Sequence, residues 1–137
     1  MGKQQQRDHV FSRINGKKGI CIEVASPPEF PKGIEGIWSP EHLFVASVSG
    51  CSMTTFLAIA EFSKFEFIDF QCSSDGILEK VEGKYLMTQV VIKPVLTISD
   101  PNDTEKAARI LQKSEKACLI SNSIKTEVLV QPTFNFQ

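Results

Sequence analysis

Two cysteines, Cys51 and Cys118, stand where a thiol could do chemistry. Cys51 lies in Val48-Ser49-Gly50-Cys51-Ser52-Met53, inside a long uncharged segment, and Cys118 closes a stripe of small and apolar residues. Such a pair can work as a redox couple: one thiolate attacks an oxidant and the other thiol resolves the product as a disulfide. The same letters also fit two inert core residues, since free cysteine is among the most buried residue types. The reactive reading asks for a fixed positive charge beside Cys51, because apolar surroundings disfavour a thiolate. Arginine is the best candidate, as it stays charged when partly desolvated. Only Arg7 and Arg13 precede the segment; Arg109, the third arginine, follows it.

Glu41 comes ten residues before Cys51. In one unbroken helix the two would be about 15 Å apart along the axis and could not meet. They could meet across two antiparallel copies of that helix in a dimer, while alone Glu41 is a favourable partner for a helix N-terminus. His42, in the same first turn, reads as solvated surface. The cysteines at 21, 51, 72 and 118 form no close C-x-x-C pair and there are only two histidines, so no metal is expected. Cys21 alternates with Ile20 and Ile22, Cys72 shares a face with Ile68 and Phe70, and both read as structural strand residues.

The elements that must position these groups follow from periodicity and punctuation. Val10 to Ile14 reads as a strand, Asn15-Gly16 and Lys17-Lys18-Gly19 as a turn, and Ile20, Ile22 and Val24 as a second strand. Ser26 to Trp38, with Pro27, Pro28, Pro31, Gly33 and Gly36, is a long loop of functional interest. Ser39 can cap a helix, Pro40 suits its first position and Glu41 its dipole, and the helix should run to about Ser63 or Lys64. Phe56, Phe62, Phe65, Phe67 and Phe70 read as core. Beyond Ile68 the period turns to two, with a bulge or bend at Asp75-Gly76 and a turn at Glu82-Gly83-Lys84. A long strand from Tyr85 to Ile98 follows, in which Pro94 predicts an edge or a bulge. Asp100-Pro101-Asn102-Asp103 opens a second helix whose inward stripe is Ala107, Ile110, Leu111, Ser114 and Cys118. Thr126, Val128 and Val130 make a last short strand, stopped by Pro132. Strand clusters separated by helices argue for an α+β fold.

Composition narrows the function. The 137 residues carry 15 Lys+Arg against 16 Asp+Glu and are 42% hydrophobic, which suits a single domain spanning 1–137 with an ordinary core. A net charge of −1 and no basic run longer than Lys17-Lys18 argue against nucleic acid and against a surface for anionic lipid. Leu43 to Ala60 has no charge for 18 residues, but its serines, threonines and glycine make it too polar for a lone membrane span. It reads as a helix buried inside the protein or at a subunit interface. No secretory signal is seen at Met1–Gln6, so the expected compartment is the cytoplasm.

Ser39-Pro40-Glu41-His42-Leu43-Phe44-Val45-Ala46-Ser47-Val48-Ser49-Gly50-Cys51 resembles the N-P-E-x-L-x-x-A-x-x-x-x-C segment of the OsmC/Ohr family, the osmotically inducible and organic-hydroperoxide-resistance proteins. Glu115-Lys116-Ala117-Cys118-Leu119-Ile120-Ser121 is similar to that family's second cysteine segment, and the order of elements agrees over nearly the whole chain. The resemblance implies antiparallel sheets packed around a long buried central helix, in an intertwined homodimer with two interface sites. It implies thiol-dependent reduction of organic hydroperoxides without a cofactor. Cys51 would be the peroxidatic cysteine, Cys118 the resolving one, and Glu41 the carboxylate that orients an active-site arginine. Arg13 is the favoured match for that arginine, with Arg7 the alternative. Leu119 stands where many members have proline, Ser39 replaces the usual asparagine, and Gly50-Cys51-Ser52 is closer to the small OsmC-like branch.

On this reading Arg13 lowers the pKa of Cys51 and Glu41 holds Arg13. The Cys51 thiolate cleaves the peroxide, and Cys118 closes a disulfide that an external dithiol, by resemblance a lipoyl-bearing protein, reduces. Trp38, Phe44 and Met53 are candidates for a wall that favours alkyl over hydrogen peroxide, Trp38 foremost; the other two also fit plain packing. Two other readings compete: a non-catalytic dimer binding a small apolar ligand, and a redox-responsive interaction protein.

Overall fold

Asn15 and Gly16 both adopt positive φ (52° and 77°) and close a two-residue turn between Arg13–Ile14 and Lys17–Lys18. Such a turn matches the twist of a hairpin. In this computed structural model, which describes residues 8–10 and 13–137, the chain divides into two compact units at residues 44 and 45. The N-terminal unit holds β1 (Asp8–Val10), β2 (Arg13–Ile14), β3 (Lys17–Lys18) and β4 (Ile22–Val24). β1 pairs antiparallel with β4, and β2 with β3. Of the expected strand over Val10–Ile14, Val10 belongs to β1 and Arg13–Ile14 to β2, while Phe11 and Ser12 lie outside the described residues. The second strand starts only at Ile22; Ile20 is 87% exposed and Cys21 is exposed beside it. The Ser26–Trp38 loop is held at both ends, since the Ala25 N–H donates to the Trp38 carbonyl and that of Ile34 to Ser26.

The long helix, α1 (Pro40–Phe62), starts where its capping signals place it. Buried Ser39 accepts from the His42 N–H at 3.1 Å, and its hydroxyl lies 2.6 Å from His42 Nδ1. The helix ends in a Schellman turn: Lys64 takes a left-handed φ of 55°, its N–H donates to Glu61, and the Phe65 N–H reaches back to Ala60.

In the C-terminal unit, β5 (Asp69–Val81) and β6 (Lys84–Ile98) form a long antiparallel hairpin around Glu82-Gly83. β7 (Glu127–Val130) and β8 (Thr133–Phe136) both add parallel to β6, so the sheet is mixed rather than wholly antiparallel. Pro132 thus does not end the strands. Nor is Pro94 on an edge, because β6 is paired on both sides. The β7 ladder stops at Ile92–Val130, where the Gln131 N–H donates to the Ile92 carbonyl, and the β8 ladder begins at Val95–Thr133. A parallel ladder would next use the N–H of residue 94. Proline lacks that donor, so the switch between partners falls at the one position that cannot pair. The bulge lies at Ile77/Leu78, opposite Gln89 and Met87, whereas Asp75 and Gly76 pair regularly.

A 3₁₀ turn (Pro101–Asp103), capped by the Asp100 carboxylate on the Asn102 N–H, leads into α2 (Thr104–Ala117) and then α3 (Leu119–Asn122). Ala107, Ile110, Leu111 and Ser114 of α2 are buried as the stripe predicts. Three of them, Ala107, Ile110 and Leu111, join Phe56, Ala60, Phe65, Leu96 and Ile98 in one core cluster. Phe70 stacks on Phe56 at 4.6 Å between ring centroids, with Phe67 beside them, but Phe62 is 91% exposed and no part of the core. Within this chain α1 is less buried than expected: only Val48, Phe56 and Ala60 are fully covered. By length and composition it could cross a membrane.

Candidate active site

Cys51 is half-buried on α1, one turn before Thr55, so the helical i, i+4 spacing brings the Thr55 hydroxyl to 3.9 Å from its sulfur. Cys118 arrives from the opposite direction in sequence. α2 stops at Ala117, and Cys118 takes an extended backbone (φ −66°, ψ 112°) before α3 begins. Its side chain is 1% exposed. The Ser121 hydroxyl, three residues on, donates to the Cys118 sulfur at 3.3 Å. This break between helices leaves the Leu119 and Ile120 amides and the Cys118 side chain near enough to Cys51 to lower its pKa.

Burial pushes the Cys51 thiol up, but the Ile120 N–H, the Cys118 side chain, the Thr55 hydroxyl and the Leu119 N–H all favour the thiolate. The balance leaves its pKa below the ordinary thiol value. Among the described residues, donors of hydrogen bonds and not a cation account for this shift. The arrangement therefore supplies a thiol of lowered pKa with a second sulfur among the groups that lower it. All four cysteines are free.

The other expected residues fall in several places. Glu41 occupies the first turn of α1, and its Oε2 is buried with no hydrogen-bond partner. Arg13 is an exposed residue of β2, in the N-terminal unit. Arg7 lies outside the described residues. Trp38 is 53% exposed and meets the His42 ring edge-on, at 6.3 Å and 86°. Phe44 is half-buried, and Met53 is 38% exposed on α1. Cys72, on β5, lies 3.4 Å from the Ser49 hydroxyl of α1, whereas Cys21 is exposed and fills no core. Among the described residues no cluster of three or more His, Cys, Asp or Glu could hold a metal ion. The sequence reading missed Thr55, Ser121 and the two amides. Thr55 and Ser121 stand at helical spacings from the two cysteines and were within its reach; backbone donors carry no sequence letter.

A long helix on a mixed sheet, with one thiol on that helix and a second at the break between α2 and α3, defines an α+β fold. The sequence model of the OsmC-like protein family matches residues 33–133, and the chain belongs to that family. Among relatives, the uncharacterised YmaD of Bacillus subtilis is 25% identical over 115 residues, covering 82% of this chain and 76% of that protein. An uncharacterised Methanocaldococcus jannaschii protein is 32% identical over 90 residues, 66% of this chain, which spans only 46% of its length. Among solved structures, an OsmC-like protein of unknown function from Vibrio cholerae superposes with a TM-score of 0.74 at 23% identity, covering 94% of this chain and 99% of that one. An organic hydroperoxide resistance protein from Legionella pneumophila gives 0.66 at 20% identity, covering 93% and 96%. Identities this low speak to the fold.

Proposed function

We propose that the protein is a thiol peroxidase that reduces organic hydroperoxides to alcohols. The observation that carries this reading is the half-buried Cys51 thiol on α1, with Thr55 at 3.9 Å and its pKa lowered, the buried Cys118 at the α2–α3 break being one of the causes. The Cys51 thiolate attacks the hydroperoxide; the O–O bond breaks, the alkoxide leaves as the alcohol after taking a proton, and Cys51 becomes a sulfenic acid. Cys118 condenses with it, releasing water and forming the Cys51–Cys118 disulfide. An external dithiol, a lipoyl-bearing protein by family analogy, then reduces that disulfide by exchange. No cofactor or metal takes part.

The working form in this proposal is a homodimer. The half-covered apolar α1 and the unpartnered Glu41 Oε2 support it. In the dimer Arg13 steadies charge on the peroxide oxygens and Glu41 holds that guanidinium, while Trp38, Phe44 and Met53 favour an alkyl substituent. The free thiols suit a reducing compartment, and we place the protein in the cytoplasm.

The test is a thiol count after one equivalent of cumene hydroperoxide. Rapid loss of two thiols per chain, abolished by Cys51→Ser, is the expected result. Unchanged thiols would overturn the reading, and a tightly bound apolar molecule found beside them would favour a binding module.

A further inference from the structure

Under the peroxidase reading, on which the role of Ser121 rests, Cys118 has a demanding task. Its sulfur must give up a proton and attack the Cys51 sulfenic acid from a site that is 1% exposed. A sulfur gaining negative charge there is cut off from water, and burial of an uncompensated charge is costly. One hydrogen bond bears on this problem: the Ser121 hydroxyl donates to the Cys118 sulfur at 3.3 Å, while Cys118 lies near enough to Cys51 to lower its pKa. The hydroxyl is not sealed in: Ser121 also lines an open surface cleft with Glu115, Lys116, Asn122 and Thr126.

We infer that Ser121 is a positioning residue for the resolving step, its hydroxyl holding the Cys118 sulfur toward Cys51 and stabilising the charge that sulfur gains as the disulfide closes. The Ser121 hydroxyl donates to Cys118, and Cys118 in turn lowers the pKa of Cys51. Once Cys51 carries a sulfenic acid, the Cys118 proton passes to the departing hydroxyl. The S–O bond of Cys51 breaks, the S–S bond forms and one water leaves, so atoms and electrons balance with no further reactant. A hydrogen bond from a hydroxyl strengthens as its acceptor becomes charged, so Ser121 acts more on the transition state than on the resting thiol. When the dithiol later attacks Cys51, Cys118 is the leaving sulfur and the same hydroxyl receives it.

The geometry explains why residue 121 has this position. Cys118 immediately precedes α3 and Ser121 is its third residue, so one helical turn folds the hydroxyl back over the sulfur. Neither Leu119 nor Ile120 carries a side-chain donor that could replace it.

The experiment compares Ser121→Thr with Ser121→Val, two side chains of one shape that differ in a hydroxyl. Each variant is mixed rapidly with cumene hydroperoxide. Sulfenic acid formation is read by dimedone trapping, and its disappearance into the disulfide by quenched thiol analysis. Ser121→Thr is expected to close the disulfide about 10- to 100-fold faster than Ser121→Val, the value of one hydrogen bond to a charged group. Both should form sulfenic acid at the same rate. Equal closure rates in the two variants would overturn the assignment of Ser121 and leave the peroxidase reading standing. Absence of sulfenic acid and disulfide in the wild-type chain would remove that reading instead, and Ser121's role with it.

Discussion

The Cys51 proton is governed by two opposing influences, burial that retains it and hydrogen bonds that release it. Since the donors prevail, the thiolate is populated at a lower pH than for an ordinary thiol near about 8.5. Carboxamidomethylation by iodoacetamide, followed at Cys51 by mass spectrometry, should therefore titrate with a midpoint below that range. Cys118→Ala and Thr55→Val should each move the midpoint upward, because each deletes a donor to the thiolate. A wild-type midpoint at or above the ordinary range would contradict the assignment. The stability consequence has a definite sign: with the folded value depressed, the contribution is present above the unfolded thiol pKa and is lost as pH falls through the folded value. At this scale the sequence was informative about the two sulfurs and silent about their acidity. Apolar context and spacing pick out Cys51 and Cys118, yet the Leu119 and Ile120 amides act through backbone geometry that no residue type encodes.

Elements were readable where their signals are local. Ser39-Pro40-Glu41 starts α1, and Ala107 to Ser114 forms the inward face of α2, because capping and periodicity act within a few turns. Pairing partners lie far off in sequence, which is why β8 after Pro132 and the central position of Pro94 were not foreseen. Gly76 is a further case. It reads as a bulge or bend in the sequence, but it continues β5 in regular register, and its reason is space: an added Cβ would fall 2.4 Å from Val45 Cγ2 of α1 and 2.6 Å from Met87 Cε of β6. The Met87 tip can move aside, whereas the branched Val45 side chain has one strongly preferred rotamer in a helix. Gly76→Ala should thus force α1 and β5 apart and cost about 1–3 kcal/mol, seen as a lower urea midpoint at unchanged slope. Adding Val45→Ala should recover part of that loss if the collision is the cause, and a simple sum of the two single effects would argue against it.

For the whole molecule, the decisive quantity is apolar surface that one chain leaves uncovered. Met53 and Leu57 on α1 are 38% and 41% exposed, in a helix otherwise apolar enough to be a core element. Tyr85 and Leu86, near the turn of the β5–β6 hairpin, are also exposed. Single exposed apolar residues are common, but a helix of 23 residues, uncharged over most of its length and with only three fully buried positions, needs a cover. In the homodimer proposed above, a second copy of the chain would supply one of matching chemistry, with α1 set against α1 by the two-fold symmetry. That cover also bears on the chemistry, since excluding water beside Cys51 strengthens every hydrogen bond made to its sulfur. Leu57→Glu places a charge on the uncovered face about 9 Å along the helix beyond Cys51 while sparing the core cluster around Phe56. Sedimentation equilibrium should give two chains for the wild type and one for Leu57→Glu, with an unchanged far-ultraviolet circular dichroism spectrum. Hydroperoxide-dependent thiol loss should fall along with the dimer. A wild-type protein that sediments as one chain, or a Leu57→Glu variant that stays paired, would mean that α1 is covered by something other than its own copy.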